Sequence, residues 1–243
     1  MLEAIAAVCR ASTGAITIEL GAGTGNLTDH LASNGGRVFA VERDRDLVAL
    51  LRTKYAGRDD VVVVEADAKA IDPPALAAGA PYVLCGNIPY HLSAPLLGLA
   101  LDCAASAERV VYLLQLELAA RLAACAGTRA CGALSVLLQQ RFDVRIARQV
   151  GRGAFVPAPR VDSALLLMQP QRPVRYPIDD GGRLSELVHA GFGQRRKQLA
   201  NSLRGCFDDV AVACVAAGVD PRRRAESLTV AEWVGLSRVE MQS

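Results

Sequence analysis

The chain has 243 residues, 51% of them hydrophobic and 21% charged, with a formal net charge of +2. This is enough apolar material for one substantial domain and a small second one around an ordinary buried core. The longest apolar runs fall well short of the roughly 20 residues that span a bilayer, and the N-terminal stretch has no basic leader before an apolar segment, so neither a membrane span nor a secretory signal is expected.

Over the first 170 residues, short apolar runs alternate with helix-type segments. Ile16–Leu20, Val38–Val41, Val61–Glu65, Tyr82–Cys85 and Val110–Leu114 read as buried strands. Helical patterns lie between them at Thr28–Ser33, Asp46–Lys54, Ala94–Asp102 and Glu117–Ala124. This alternation predicts a doubly wound α/β fold with a parallel sheet. Two further runs, Phe142–Val150 and Ser163–Met168, are placed to close the sheet as an antiparallel hairpin around a Gly- and Pro-rich loop, Gly151–Pro159. A Pro-rich break at Gln169–Pro177 is followed by helical patterning alone. The domain boundary is therefore expected at 172/173, giving a catalytic-type domain over 1–172 and a helical domain over 173–243.

Net charge is also unevenly spread along the chain. Residues 1–140 carry 11 basic and 14 acidic residues, a net of −3, whereas 141–243 carry 16 and 11, a net of +5. A basic C-terminal part suits a polyanionic partner. The seven cysteines form no C-x-x-C pair, and no histidine stands at ligand spacing from one, so no metal site is expected and the thiols read as small buried residues of a reducing cytoplasm.

Three strand ends carry chemistry. E-L-G-A-G-T-G, Glu19 to Gly25, follows the first strand, and its glycines let the backbone approach a ligand without a Cβ in the way. Taken alone, such a turn serves NAD, FAD or S-adenosylmethionine. Glu42 ends the second strand 17 residues after Gly25, placed to accept both ribose hydroxyls of a nucleoside. Asp67 follows the third strand, suited to the amino group of the cofactor's adenine. Three such ends in succession favour S-adenosylmethionine.

The fourth strand ends in G-N-I-P-Y, Gly86 to Tyr90. Methylating the N6 amine of adenine is hard because its lone pair is delocalised into the ring. Accepting both N–H hydrogens favours a more tetrahedral, more nucleophilic nitrogen. The Asn87 amide oxygen and the Ile88 or Pro89 carbonyl can do this, while Tyr90 supplies a flat face for the base.

With these motifs in hand, the chain resembles the ribosomal RNA adenine N6-dimethyltransferases, which modify adjacent adenines near the 3′ end of small-subunit (16S) rRNA. The similarity spans I-E-L-G-A-G-T-G-N-L-T, Glu42, E-A-D-A and G-N-I-P-Y-H-L-S-A-P-L-L. It continues through L-S-V-L-L-Q at Leu134–Gln139 and F-V-P-A-P-R-V-D-S-A-L at Phe155–Leu165. It also includes G-F-G-Q-R-R-K-Q-L-A-N-S-L at Gly191–Leu203 and G-V-D-P-R-R-R-A-E-S-L-T-V at Gly218–Val230. The later blocks separate this family from generic methyltransferases and from the related enzymes of macrolide resistance.

The resemblance implies a Rossmann-like class I S-adenosylmethionine methyltransferase sheet with a small C-terminal helical domain, in a cytoplasmic monomer that acts on the immature small ribosomal subunit. It implies that Glu19, Gly21 and Gly23 line the methionine end of the cofactor, Glu42 the ribose and Asp67 the adenine, with Asn87 shared between cofactor and target. Asn87, Pro89 and Tyr90 then hold the target base, Phe155 stacks on its other face, and Asp162 and Ser163 fix the loop. Arg195, Arg196 and Lys197, expected at the start of a C-terminal helix, would meet the rRNA backbone, with Arg222, Arg223 and Arg224 a second patch. The chain departs from the family at the N-terminal G-Q-x-F-L-type motif, which it does not match; Met1-Leu-Glu-Ala-Ile reads as the helix that follows it. It also has Leu116 and Cys131-Gly-Ala where the family has basic or aromatic residues. These losses motivate a second reading, a ribosome- or nucleic-acid-binding assembly factor with little methylation activity. A third keeps the enzyme and changes its substrate to DNA adenine or protein glutamine.

Overall fold

The computed structural model describes residues 1–10, 16–155 and 159–239, and of Tyr90 only the backbone. Its strands are β1 (Ile16–Leu20), β2 (Val38–Glu42), β3 (Val61–Glu65), β4 (Tyr82–Asn87), β5 (Ala107–Gln115), β6 (Phe142–Val150) and β7 (Ser163–Pro170). The helices of the first half are α1 (Leu2–Cys9), α2 (Asn26–Ala32), α3 (Arg45–Lys54), α4 (Pro73–Leu76), α5 (Ser93–Asp102) and α6 (Leu116–Ala123). Then come α7 (Ala133–Arg141), α8 (Gly181–Gly193), α9 (Leu199–Ser202), α10 (Val210–Ala216) and α11 (Val230–Ser237). No helix among the described residues is long and apolar enough to cross a membrane.

All seven strands form one sheet in the order β3-β2-β1-β4-β5-β7-β6. The first five pair in parallel, and β7 runs antiparallel to β5. The doubly wound α/β class expected from the alternation is what forms, and the two closing runs complete the sheet, β7 lying between β5 and β6. Both faces are covered. Alternate residues Val38 and Ala40, Val83 and Cys85, Val111 and Leu113, and Leu165 and Leu167 pack with Ile5, Leu27, Leu31 and Leu51 of α1, α2 and α3. Tyr112, of the opposite parity, donates its hydroxyl hydrogen to the Leu96 carbonyl of α5 at 3.1 Å. Near-continuous apolar runs in these strands follow from having no wet face.

Register decides where the motifs go. Leu20 stands level with Val41 of β2 and with Gly86 of β4, Glu42 with Glu65, and Asn87 with Leu113. The four motif-bearing strand ends therefore share one edge of the sheet, with the order reversing between β1 and β4. That reversal opens the ligand crevice of doubly wound sheets.

The chain divides into two compact units, Met1–Ala119 with Asp143–Pro170, and Ala120–Phe142 with Gln171–Ser243. A single cut at 172/173 does not describe this division, because residues 120–142 group with the C-terminal part. Helix α7 inside that segment has no amphipathic signature to announce it: Ser135, Val136, Leu137, Leu138 and Gln140 are all buried. Its polar members are satisfied within the second unit. Ser135 donates to the Arg121 carbonyl at 2.7 Å, and Gln140 to the Tyr176 carbonyl at 2.7 Å. The core of that unit also holds Trp233, fully buried beside Phe192 at a ring-centroid distance of 6.0 Å.

At Gly86, β4 comes close to β1. A Cβ there would meet the Leu20 carbonyl oxygen at 2.7 Å, whereas one at Gly98 of α5 would meet nothing within 4 Å. Gly86→Ala is expected to lower stability by roughly 1–3 kcal/mol in denaturant unfolding. Gly98→Ala should be neutral or slightly stabilising. Equal midpoints for the two variants would show that β1 and β4 are not held this closely.

Candidate active site

The glycine turn leaves β1 and crosses to β2. The amide groups of Gly21 and Ala22 both donate to the Val41 carbonyl, at 2.9 and 3.0 Å. Gly21, Gly23 and Gly25 all lie in the left-handed region, with φ of 72°, 58° and 78°. Side chains at Gly21 and Gly23 would point into open space, so the backbone there is free for a ligand to approach. Gly25 differs: a Cβ would meet the Tyr55 hydroxyl at 2.6 Å.

That close approach belongs to a strap that the sequence did not reveal. Tyr55 donates to the Gly25 carbonyl at 2.8 Å and lies 2.8 Å from Asp29 Oδ1. Lys54 Nζ donates to the Thr24 and Gly25 carbonyls at 3.2 and 3.1 Å and to Asp29 Oδ2 at 2.6 Å. Burial disfavours ionisation of Asp29, but the hydrogen bonds from Lys54 and Tyr55 outweigh it and hold its carboxyl below the usual range. The C-terminal end of α3 is thus bolted to the last turn of the glycine loop. A Lys-Tyr pair at the end of a surface helix carries no motif, which is why only the fold could show it.

The three acids named from the sequence sit in different environments. Glu19 is only 2% exposed and accepts a hydrogen bond from Thr28 Oγ1 at 2.5 Å. Burial pushes its carboxyl up to about 7, with the charges of Asp29 and Glu42 adding to the effect and the Thr28 hydroxyl and Lys54 opposing it. Glu42 is fixed from both sides. Its Oε2 accepts from the Gly23 amide at 2.9 Å, and its Oε1 from those of Arg43 and Asp44 at 2.8 and 3.0 Å. A carboxylate has about four acceptor positions, so three are taken and about one remains for a further donor. Asp67 accepts from the Lys69 amide at 2.9 Å and pairs with Lys69 and Arg43 at 3.5 and 3.6 Å. The Lys69 amide first, and then these cations, hold its carboxyl below the ordinary value.

At the end of β4 a cavity of about 280 Å³ is lined by Asn87, Ile88, Pro89, Leu113, Phe155 and Ser163, among others. Asn87 and Pro89 are exposed, Ile88 is buried, and the Ile88 amide donates to the Leu113 carbonyl at 3.2 Å. The structure thus brings Phe155 to the same hollow as Asn87 and Pro89. The Tyr90 side chain and residues 156–158 of the Phe155 loop lie outside the described residues. Asp162 Oδ1 accepts from the Arg152 amide at 2.9 Å, bracing the start of that loop.

The basic triplet is not at the start of a helix. Arg195, Arg196 and Lys197 lie in the turn between Gly193, the end of α8, and Leu199, the start of α9. The Arg195 guanidinium is engaged by its own chain, donating to the Arg129 and Cys131 carbonyls at 3.0 and 3.1 Å. In the second patch, Arg222 pairs with Asp220, and Arg223 is held by Glu232 and Ser227. Arg196 and Lys197 are exposed.

A family model described as ribosomal RNA adenine dimethylase matches residues 4–240. Proteins named ribosomal RNA small subunit methyltransferase A are similar over nearly the whole chain. That of Anaeromyxobacter sp. strain K is 46% identical over 252 residues, covering 98% of this chain and 88% of the relative. That of Sphingopyxis alaskensis is 43% identical over 244 residues, with the same coverage. Among solved structures, the 23S rRNA methyltransferase ErmE superposes with a TM-score of 0.76 at 26% identity, covering 97% of this chain and 95% of that one. A dimethyladenosine transferase from Plasmodium falciparum shares the fold, with a TM-score of 0.78 at 22% identity over 97% and 93% of the two chains.

The buried acid gives a measurable pH signature. A carboxyl raised by folding contributes stability below its unfolded value and loses it as pH rises toward the folded one. Between the ordinary glutamate range and about 7, Glu19 should therefore cost the fold up to about 3 kcal/mol. Denaturant midpoints of the wild type should fall, relative to those of Glu19→Gln, between pH 5 and pH 8. Parallel profiles for the two proteins would rule out a buried, protonated Glu19.

Proposed function

Since the chain belongs to the ribosomal RNA adenine dimethylase family, it is an rRNA adenine methyltransferase that uses a methyl donor of the S-adenosylmethionine type, and we propose that it converts adjacent adenines of small-subunit rRNA to N6,N6-dimethyladenine with S-adenosyl-L-methionine itself, on the immature small ribosomal subunit in the cytoplasm. The observation that supports this reading best is the cavity where Asn87 and Pro89 meet Phe155 at the edge of the sheet that also carries the glycine turn.

The residues present fit the donor. The open backbone at Gly21 and Gly23 admits its methionine end, with Glu19 beneath. The remaining acceptor position of Glu42 suits one ribose hydroxyl, and Asp67, held ionised, suits the adenine amino group. When bound, the cofactor supplies an electrophilic methyl group.

The chain's own part is orientation. The Asn87 amide oxygen and the Ile88 or Pro89 carbonyl accept the two N6 hydrogens of the target adenine. This disfavours delocalisation of the nitrogen lone pair and points it outward. Phe155 covers one face of the base, so the base must first leave its stack, at a cost of a few kcal/mol. The proton released after transfer goes to water, so the site needs no dedicated base. Arg196 and Lys197 are the members of the basic triplet whose exposure suits contact with the rRNA backbone; Arg195 supports them by holding the 129–131 loop.

The direct test is methyl transfer to undermethylated small subunits, with nuclease digestion to identify the product. N6,N6-dimethyladenosine is expected. Subunit binding without transfer would instead establish an assembly factor on this fold. Asn87→Ala should lower kcat on the order of 10²-fold. Phe155→Ala should mainly raise KM for the subunit, on the order of tenfold. Wild-type rates for Asn87→Ala would refute its placement at the N6 amine.

The strap gives a separate prediction. Tyr55→Phe and Lys54→Met loosen the glycine turn without touching the base cavity, so each should weaken cofactor binding by roughly fivefold, as expected for the loss of one net hydrogen bond. KM for the subunit should stay unchanged. Titration calorimetry with the cofactor and steady-state kinetics separate the two effects.

A further inference from the structure

Beside the base cavity lies a second one, of about 500 Å³, lined by Gln115, Glu117, Arg152, Arg160 and Asp162 together with Leu116 and Val161. The two hollows share a wall. Pro159 and Ser163 line the first, and the residues between them, Arg160, Val161 and Asp162, line the second. On β5 the division repeats two residues apart, with Leu113 in the first and Gln115 in the second.

The second cavity holds polar groups without a use inside the fold. Among the described residues, the side chains of Gln115, Arg152 and Arg160 have no hydrogen-bond or ion-pair partner. Both arginines are exposed and Gln115 is half-buried. The acids in the lining are committed: Asp162 accepts from the Arg152 amide, and Glu117 has an interaction of its own. What remains available is two guanidinium forks, the groups best matched to phosphate oxygens, and one amide that can both donate and accept. A glutamine amide pairs in this bidentate way with the edge of adenine, through its amino group and a ring nitrogen.

We propose that this cavity is a subsite for the nucleotide next to the target adenine, with Arg152 and Arg160 gripping the phosphodiester and the Gln115 amide reading the neighbouring adenine. The proposal rests on the reading of the chain as an enzyme for adjacent adenines, and it explains how one site could serve such a pair. While one base occupies the hollow at Asn87, its neighbour is held on the far side of the 159–163 wall, and the two can then exchange places.

The test uses the full chain and undermethylated small subunits in two forms, one with both adenines and one in which a single adenine of the pair is cytosine. Dissociation constants are measured over a range of salt, with methyl transfer recorded in parallel. Arg152→Gln combined with Arg160→Gln should raise Kd roughly tenfold. It should also make the slope of log Kd against log salt shallower by about 0.7 for each phosphate that is no longer neutralised, with cofactor affinity unchanged. Gln115→Ala should cost roughly tenfold on the two-adenine subunit and little on the cytosine form. An unchanged salt slope in the double variant, or an equal loss for Gln115→Ala on both subunits, overturns the subsite. Failure of the wild type to transfer methyl groups while these binding patterns persist would overturn the enzymatic reading and leave the subsite standing.

Discussion

The close approach of β1 and β4 at Gly86 is the constraint on which the site depends. With a hydrogen where any other residue has a Cβ, Gly86 can face the Leu20 carbonyl, so the ends of the two strands stand level. The glycine turn leaves one strand and Asn87-Ile-Pro-Tyr leaves the other from this shared line. In the proposed reading, a donor lying over the first is thereby directed at a base held by the second. Separating the strands by even a side-chain methyl would move both reacting partners, and methyl transfer tolerates little misplacement because its advantage comes from orientation.

Rigidity around that line is supplied differently on each side. On the side of the glycine turn, Lys54 and Tyr55 bind its carbonyls, while Asp29 balances the charge of Lys54, accepts one of its hydrogens and shares the single hydroxyl hydrogen of Tyr55. Glu42 is locked by three backbone amides before any ligand arrives. On the substrate side, the chain is braced at its edges, by Ile88 on Leu113 and by Arg152 on Asp162, and the hollow between is left open. This division suits a small cofactor meeting a large RNA: the first needs a preformed cradle, and the second needs room to enter with its base already unstacked.

The two acids at the cradle illustrate how burial assigns roles. Glu19 and Glu42 are both nearly buried, yet Glu19 has one hydroxyl donor and rises to about 7, whereas Glu42 receives three amide hydrogens. A carboxyl raised to about 7 is divided between its neutral and ionised forms near pH 7, and a cationic ammonium group beside it favours the ionised one. In the proposed reading, Glu19 is therefore poised to take up its charge as the methionine end of the donor binds. Glu42 provides a fixed acceptor in either state.

Much is legible in the sequence itself. The β-branched runs around Ile18, Val41 and Val63 and the glycines that follow β1 required buried parallel strands and a ligand-facing turn, because period and backbone freedom are local properties. Glu42, Asp67 and Asn87 stood out for the same reason, each being a polar residue at a strand end. Other features were settled only by tertiary packing. The 133–141 helix is buried on every side, so it lacks the polar face by which a helix is read. The engagement of Arg195 with the 129–131 carbonyls joins positions more than 60 residues apart, which turned part of an apparent RNA patch into internal scaffolding. The meeting of Phe155 with Asn87, the Lys54–Tyr55 strap and the cavity behind the 159–163 wall are likewise long-range. Sequence spacing reports what one element does with its own backbone and solvent; which side chains converge across elements depends on register and packing, and those exist only in the folded chain.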